Sequence, residues 1–176
     1  MKVILFSAIF IISAFAVNFD KLNPYKEADF KILEDNLESF IAKCKAGDGK
    51  SCRLASLVYG EKYRKSREIE FGKLRVEYYF RGCDLRDGIS CLAIAVEYGD
   101  AVSYLKILEI DLEKEMEYLH KACEYNEINS CNLLGHRYSS EARSKKGSEK
   151  NSAQLKAKQF YKKACKLGHD VACKEK

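Results

Sequence analysis

Along most of this chain apolar side chains recur every three to four positions, and polar ones fill the intervals. Between Ala28 and Lys45 the residues Phe30, Leu33, Leu37, Phe40 and Ile41 fall on one side of a helix. The stretches "CRLASLVY", "CLAIAVEY" and "CNLLGHRY", which start at Cys52, Cys91 and Cys131, show the same spacing and predict three more helices. A further set precedes three other cysteines: "LRVEYYFRGC", "EKEMEYLHKAC" and "LKAKQFYKKAC". In these, aromatic or apolar residues stand four and five positions ahead of the cysteine: Tyr78 and Tyr79, Tyr118 and Leu119, Phe160 and Tyr161. The only proline, Pro24, leaves long helices unbroken. The pattern predicts an all-α chain.

The cysteines form four pairs of equal spacing: "CKAGDGKSC" (Cys44, Cys52), "CDLRDGISC" (Cys83, Cys91), "CEYNEINSC" (Cys123, Cys131) and "CKLGHDVAC" (Cys165, Cys173). How they are read depends on the first sixteen residues. "MKVILFSAIFIISAFA" has Lys2, an apolar run from Val3 to Ile12 and the small-x-small Ala14-Phe15-Ala16, the pattern of a cleavable signal peptide. Its run is shorter than the roughly 20 residues of a membrane span. The mature chain is expected to start at Val17, in the periplasm or secreted, with no stable membrane span. In an oxidising compartment, evenly numbered and regularly spaced cysteines are a disulfide framework. Zinc sites use cysteines separated by two to four residues and backed by a second such pair. A gap of seven residues does not fit, and His120, His136 and His169 stand at unrelated positions of the pattern, so neither metal nor cofactor is expected.

Two cysteines eight steps apart on one helix would lie about 12 Å from each other on different faces, whereas a disulfide needs roughly 4.4 to 6.8 Å between Cα atoms. For a bridge to form inside each pair, the helix must end and the chain must turn back. The residues between agree: Gly47, Asp48 and Gly49, then Asp87 and Gly88, then Asn126 and Asn129, then Gly168 to Asp170. Gly and Asn close helices, and Asp, Asn and Ser start them.

The first cysteines of successive pairs stand at 44, 83, 123 and 165, a spacing of 39, 40 and 42 residues. A period of this length marks an array of helical pairs. Seven residues after the second cysteine comes a tyrosine (Tyr59, Tyr98, Tyr138), and four residues after it a small side chain (Ser56, Ala95, Gly135) that lets the partner helix approach. The expected order is a signal peptide over 1–16, an extension and capping helix over 17–43, and a repeat array over 44–176. Its repeats cover about 44–82, 83–122 and 123–164, with a terminal stub at 165–176.

"AKQFYKKACKLGHDVAC" and "LLGHRY" resemble Sel1-like repeats, relatives of the tetratricopeptide repeats, in the exported form known as the helicobacter cysteine-rich protein family. The resemblance spans about Phe40 to Cys173. It implies an α/α superhelical solenoid in which Cys44 pairs with Cys52, Cys83 with Cys91, Cys123 with Cys131, and Cys165 with Cys173. Each bridge then joins the last helix of one repeat to the first helix of the next. Stacked helical pairs form a curved ribbon whose inner face suits a protein or peptide partner, envelope or host proteins among them, and a monomer is expected. As the alternative, the resemblance implies β-lactam binding and hydrolysis of the β-lactam amide bond.

Charge adds one feature. From Glu68 to Glu127 the balance is −7, and from Arg143 to Lys176 it is +8. An overall excess of +5 on an exported chain gives no reason to expect nucleic acid as a partner. Arg53, Glu97, Asn132 and Arg137 sit at first-helix positions expected to be exposed and are the candidate binding residues. For the β-lactam alternative, Ser103 and Lys106 fit S-x-x-K, and Ser130-Cys131-Asn132 fits S-x-N, while no Lys-Thr-Gly exists. About two S-x-x-K matches arise by chance in a chain of this composition. Ser103 and Lys106 are therefore weak candidates.

Overall fold

The computed structural model describes residues 17–100 and 106–175, so the expected signal peptide and Ser103 lie outside the described residues. Among the described residues the chain is all helical. A 3-10 turn, Phe19–Lys21, precedes eight α-helices: α1 Glu27–Asp35, α2 Leu37–Lys45, α3 Gly49–Ser66, α4 Ile69–Asp84, α5 Gly88–Tyr98, α6 Leu112–Glu124, α7 Ile128–Ser144 and α8 Gly147–Lys166. A final 3-10 turn, Ala172–Lys174, ends the array. Helices adjacent in sequence pack on each other, giving the pairs α3 with α4, α5 with α6 and α7 with α8, stacked as a solenoid. None of these helices is long and apolar enough to cross a membrane.

Each junction turns in the same way. The four disulfides join Cys44 to Cys52, Cys83 to Cys91, Cys123 to Cys131 and Cys165 to Cys173, each with 4.7 Å between Cα atoms. Three residues after each first cysteine the backbone is left-handed, at Gly47, Arg86, Asn126 and Gly168. The next residue's N–H donates across the corner to the carbonyl of the residue before the first cysteine: Asp48 to Lys43, Asp87 to Gly82, Glu127 to Ala122 and His169 to Ala164, at 2.9 to 3.0 Å. This is the bond pattern that satisfies the last carbonyls of a helix before a reversal. In the second and third corners the donor residue's side chain also caps the next helix. Asp87 Oδ1 accepts from the Ser90 backbone N–H at 2.7 Å and Glu127 Oε2 from that of Ser130 at 2.5 Å.

In the second corner the left-handed residue is Arg86, although Asp87 and Gly88 drew attention in the sequence. Gly88 is required for another reason. A Cβ there would lie 3.0 Å from Glu127 Cβ and 3.2 Å from the Ala122 carbonyl, so its absence lets the second corner rest on the third. The expected single capping helix from Ala28 to Lys45 is also corrected. It is broken at Asn36, whose side-chain amide donates to Ile32 O at 2.8 Å and draws the chain out of helical geometry.

Inside the array one aromatic arrangement recurs. The first-helix tyrosine stacks on the aromatic residue five positions before the next first cysteine: Tyr59 on Tyr78, Tyr98 on Tyr118 and Tyr138 on Phe160, with ring centroids 5.5, 5.9 and 5.5 Å apart. The residue three positions before the preceding first cysteine wedges against the stack. Phe80 meets Tyr98 and Tyr118, and His120 meets Tyr138 and Phe160. Ile41 packs against the cluster that holds Tyr59 and Tyr78. Junction packing is thus continuous from the capping helices to α8.

Candidate functional site

The first helices present a stripe of side chains at helical spacing, best numbered from the second cysteine of each corner. On α3 it comprises Lys50, Arg53, Leu57, Glu61 and Arg64; on α5, Ile89, Leu92 and Val96, with Asp100 just past its end; on α7, Asn129, Asn132, His136, Ser140 and Arg143. The stripe is covered on α3, where Arg53 and Glu61 are buried. On α5 and α7 it is open: Ile89 is 50% and Val96 52% exposed, and Asn129, His136, Ser140 and Arg143 are exposed too. Two exposed apolar residues on one helix, continued by exposed polar ones at the same positions of the next repeat, form a surface that a partner can cover.

The cover on α3 is the segment before α1. Asp20 Oδ1 accepts from Arg53 Nη2 at 2.8 Å, and Lys50 pairs with the same carboxylate. Burial pushes the Asp20 carboxyl up, and hydrogen bonds from Lys50 and Arg53 more than offset this, holding it below the ordinary carboxylate range. Phe19 packs edge-on against Phe40 at 5.0 Å. Pro24 and Tyr25 line a cavity of about 60 Å³ with Leu57, Gly60, Glu61, Arg64, Arg75 and Tyr79.

Two of the four residues expected to be exposed are not. Arg53 is 9% exposed and bridges Asp20 to Asp87, at 3.3 Å from Asp87 Oδ2, so it ties the cover and the next corner to α3. Glu97 is 6% exposed and accepts from Arg75 Nη2 at 2.8 Å and from the Ile107 N–H at 3.1 Å. Glu97, six residues after Cys91, points into the junction with α4, whereas Arg53, one residue after Cys52, lies on the stripe and is buried by the segment before α1. Asn132 is half-buried and lies on the stripe. Arg137 is exposed and pairs with Glu115 and, at 3.9 Å, with Asp100.

A comparison with solved structures places this architecture. The structure titled Helicobacter pylori cysteine rich protein B aligns with a TM-score of 0.55 at 24% identity, covering 86% of this chain and 98% of that one. The chain has the fold of that cysteine-rich protein. No family model matches the sequence, and no curated protein matches it. The solenoid of helical pairs expected from the repeat is the one observed, with a C-x7-C disulfide at every junction. On the fold of cysteine rich protein B, complete pairing of the eight cysteines is the chemistry of an oxidising, extracytoplasmic compartment.

The residues raised for β-lactam chemistry do not come together among the described residues. Lys106 Nζ donates to the Gly99 carbonyl. Ser130 is fully buried in the first turn of α7, inside the third corner, where its Oγ has no hydrogen-bond partner. The stripe residues Ile89, Val96, Asn129 and His136 were missed in the sequence. A signal for them exists: they stand at fixed distances from the second cysteine and break the usual preference for charge on a solvent-facing helix.

Proposed function

We propose that the protein is an exported repeat scaffold that binds a protein or peptide partner on the inner face formed by its first helices. Cleavage after Ala16 and a repeat array over 44–176 belong to this reading. The observation that carries it is the open stripe on α5 and α7. Ile89 and Val96 are about half exposed on a chain in which 32% of residues are charged, and they lie beside Asn129, Asn132 and His136. Apolar contacts flanked by amide and imidazole groups suit a peptide held by both side-chain packing and hydrogen bonds. Arg137 stands at the edge of this surface, where it adds charge to the rim.

The test is selection of linear peptides from a displayed library by the oxidised mature chain. Enriched peptides are expected to bind the native chain saturably and to lose binding to Val96→Asp, which lies outside the buried clusters, and to His136→Glu, whose fold is checked by circular dichroism because His136 Nδ1 is bonded to the buried Tyr161. Retention of binding by both variants, or no enrichment at all, overturns the reading.

A further inference from the structure

The segment Asn18–Lys26 lies along α3 on the stripe that α5 and α7 leave open. Its acidic residue, Asp20, is held by Lys50 and Arg53 near the start of the helix. The second of its two aromatic residues, Tyr25, lies near the helix end, with the Arg64 guanidinium 6.0 Å from the ring centroid. The segment is not extended: Phe19–Lys21 is a 3-10 turn and the Lys26 N–H donates to the Asn23 carbonyl at 3.0 Å, so Asp20 and Tyr25 are presented by two successive turns. Between its ends the segment seats Leu22 against the core cluster and Pro24 beside Leu57 and Gly60.

Periodicity gives this contact its meaning. The residue five positions after the second cysteine is partly covered on α3 (Leu57) but exposed on α5 (Val96) and α7 (His136). The residue nine positions after it is buried on α3 (Glu61) and exposed just past α5 (Asp100) and on α7 (Ser140). The repeats differ in what covers them, and on α3 the cover is the chain's own segment before α1.

We infer that residues 17–26 are a peptide docked in cis on the first repeat's partner-binding stripe, and that this stripe takes a turned peptide with an acidic residue followed five positions later by an aromatic one. The inference rests on the reading of the first-helix stripe as the partner face. Tethering supplies the segment at an effective concentration on the order of millimolar. A free peptide of the same sequence at micromolar concentration is therefore excluded from the native chain. Releasing the segment opens the site.

The experiment uses a fluorescent peptide of residues 17–26 and two full mature chains, native and Phe19→Ala/Asp20→Lys. The double variant sets a cation against Lys50 and Arg53 and removes the Phe40 contact, while every disulfide and buried cluster stays in place. The peptide is expected to bind the double variant at least about tenfold more tightly than the native chain, and a peptide carrying Asp20→Lys is expected not to bind. Equal affinity for both chains, or no saturable binding to the variant, overturns the inference. Retained helical circular dichroism and disulfide content establish that the variant is folded. Failure here leaves the library test on Val96 and His136 unaffected, because that test reads α5 and α7, so the two readings fail separately.

Discussion

Arg75 on α4 donates to Glu97 on α5 at 2.8 Å, and one repeat later the same two positions hold Glu115 and Arg137, also paired, with the charges exchanged. Each pair joins the residue eight positions before a first cysteine to the residue six positions after the second. Reversing the sign makes the two junctions mutually incompatible, since stacking α4 on α7 would bring Arg75 against Arg137. A repeat array built from similar units gains its order from such a device.

The first pair is the more enclosed, with side-chain exposures of 14% and 8%, against 43% and 11% for the second. Glu97→Lys is expected to lower stability by about 3 kcal/mol, because it sets a cation against Arg75 in the junction. The double variant Arg75→Glu/Glu97→Lys is expected to recover most of that loss. Arg137→Glu, at the more exposed pair, is expected to cost about 1 kcal/mol. Urea unfolding of the oxidised chains checks the order; if the double variant is no better than Glu97→Lys alone, the pair does not set the junction.

The small residue four positions after the second cysteine is matched to the bulk of the facing helix. A Cβ at Gly135 would lie 2.4 Å from Tyr161 Cε1, and the ring is held by a hydrogen bond of 2.9 Å between its hydroxyl and His136 Nδ1. Gly135→Ala gains about 1 kcal/mol of helix propensity, but overpacking against an anchored ring costs about 1 to 3 kcal/mol. A net loss of about 1 kcal/mol is expected. The second repeat shows the remedy, since its equivalent positions hold Ala95 and Leu119, both buried in one cluster. Adding Tyr161→Leu to Gly135→Ala is expected to restore the thermal midpoint, as read by circular dichroism.

Most of this architecture was legible because it is periodic. Four equal cysteine gaps, three tyrosines in register and three small residues each report one geometric demand several times over. What escaped was set by neighbours distant in sequence. Nothing local in "GEKY" or "AVEY" reveals that Glu61 and Glu97 are buried, because their burial depends on the amino-terminal segment and on α4, respectively. Asn36 broke a helix whose apolar pattern runs on through it, since capping by one side chain overrides a weak periodic signal. Arg86 took the left-handed role that Gly88 was placed to fill, because Gly88 is fixed by its approach to the third corner.

Removing a disulfide separates an inner junction from the last one, where Ala172 packs into the buried cluster that holds Leu134 and Tyr161. Cys83 and Cys91 are buried within a cluster containing Ile94 and Ala122. Opening that bridge with paired Cys→Ser substitutions is expected to cost about 2.5 kcal/mol from loop entropy alone, with a further loss from placing hydroxyls in an apolar site. Opening Cys165–Cys173, whose sulfurs are only partly buried, frees a 3-10 turn at the chain end. There the expected result is rapid amide exchange confined to residues 167–175, with a smaller change in the global unfolding midpoint. Hydrogen exchange with mass detection distinguishes the two.

His120 gives the array a dependence on pH. Its ring wedges between Tyr138 and Phe160, its Nε2 lies 2.9 Å from the Tyr138 hydroxyl, and Lys156 reaches over the Tyr138 ring. Burial lowers its pKa below the usual histidine value of 6.5, and the Lys156 charge lowers it further. The unfolded chain therefore binds this proton more readily than the folded one. Its contribution to stability is fully present above the unfolded value and is lost as pH falls through the folded one. The thermal midpoint should fall from pH 7.5 to pH 5.5, and His120→Phe should flatten that dependence, since Phe80 fills the same wedge one repeat earlier without titrating. If the variant keeps the native slope across this window, the acid sensitivity arises elsewhere in the chain.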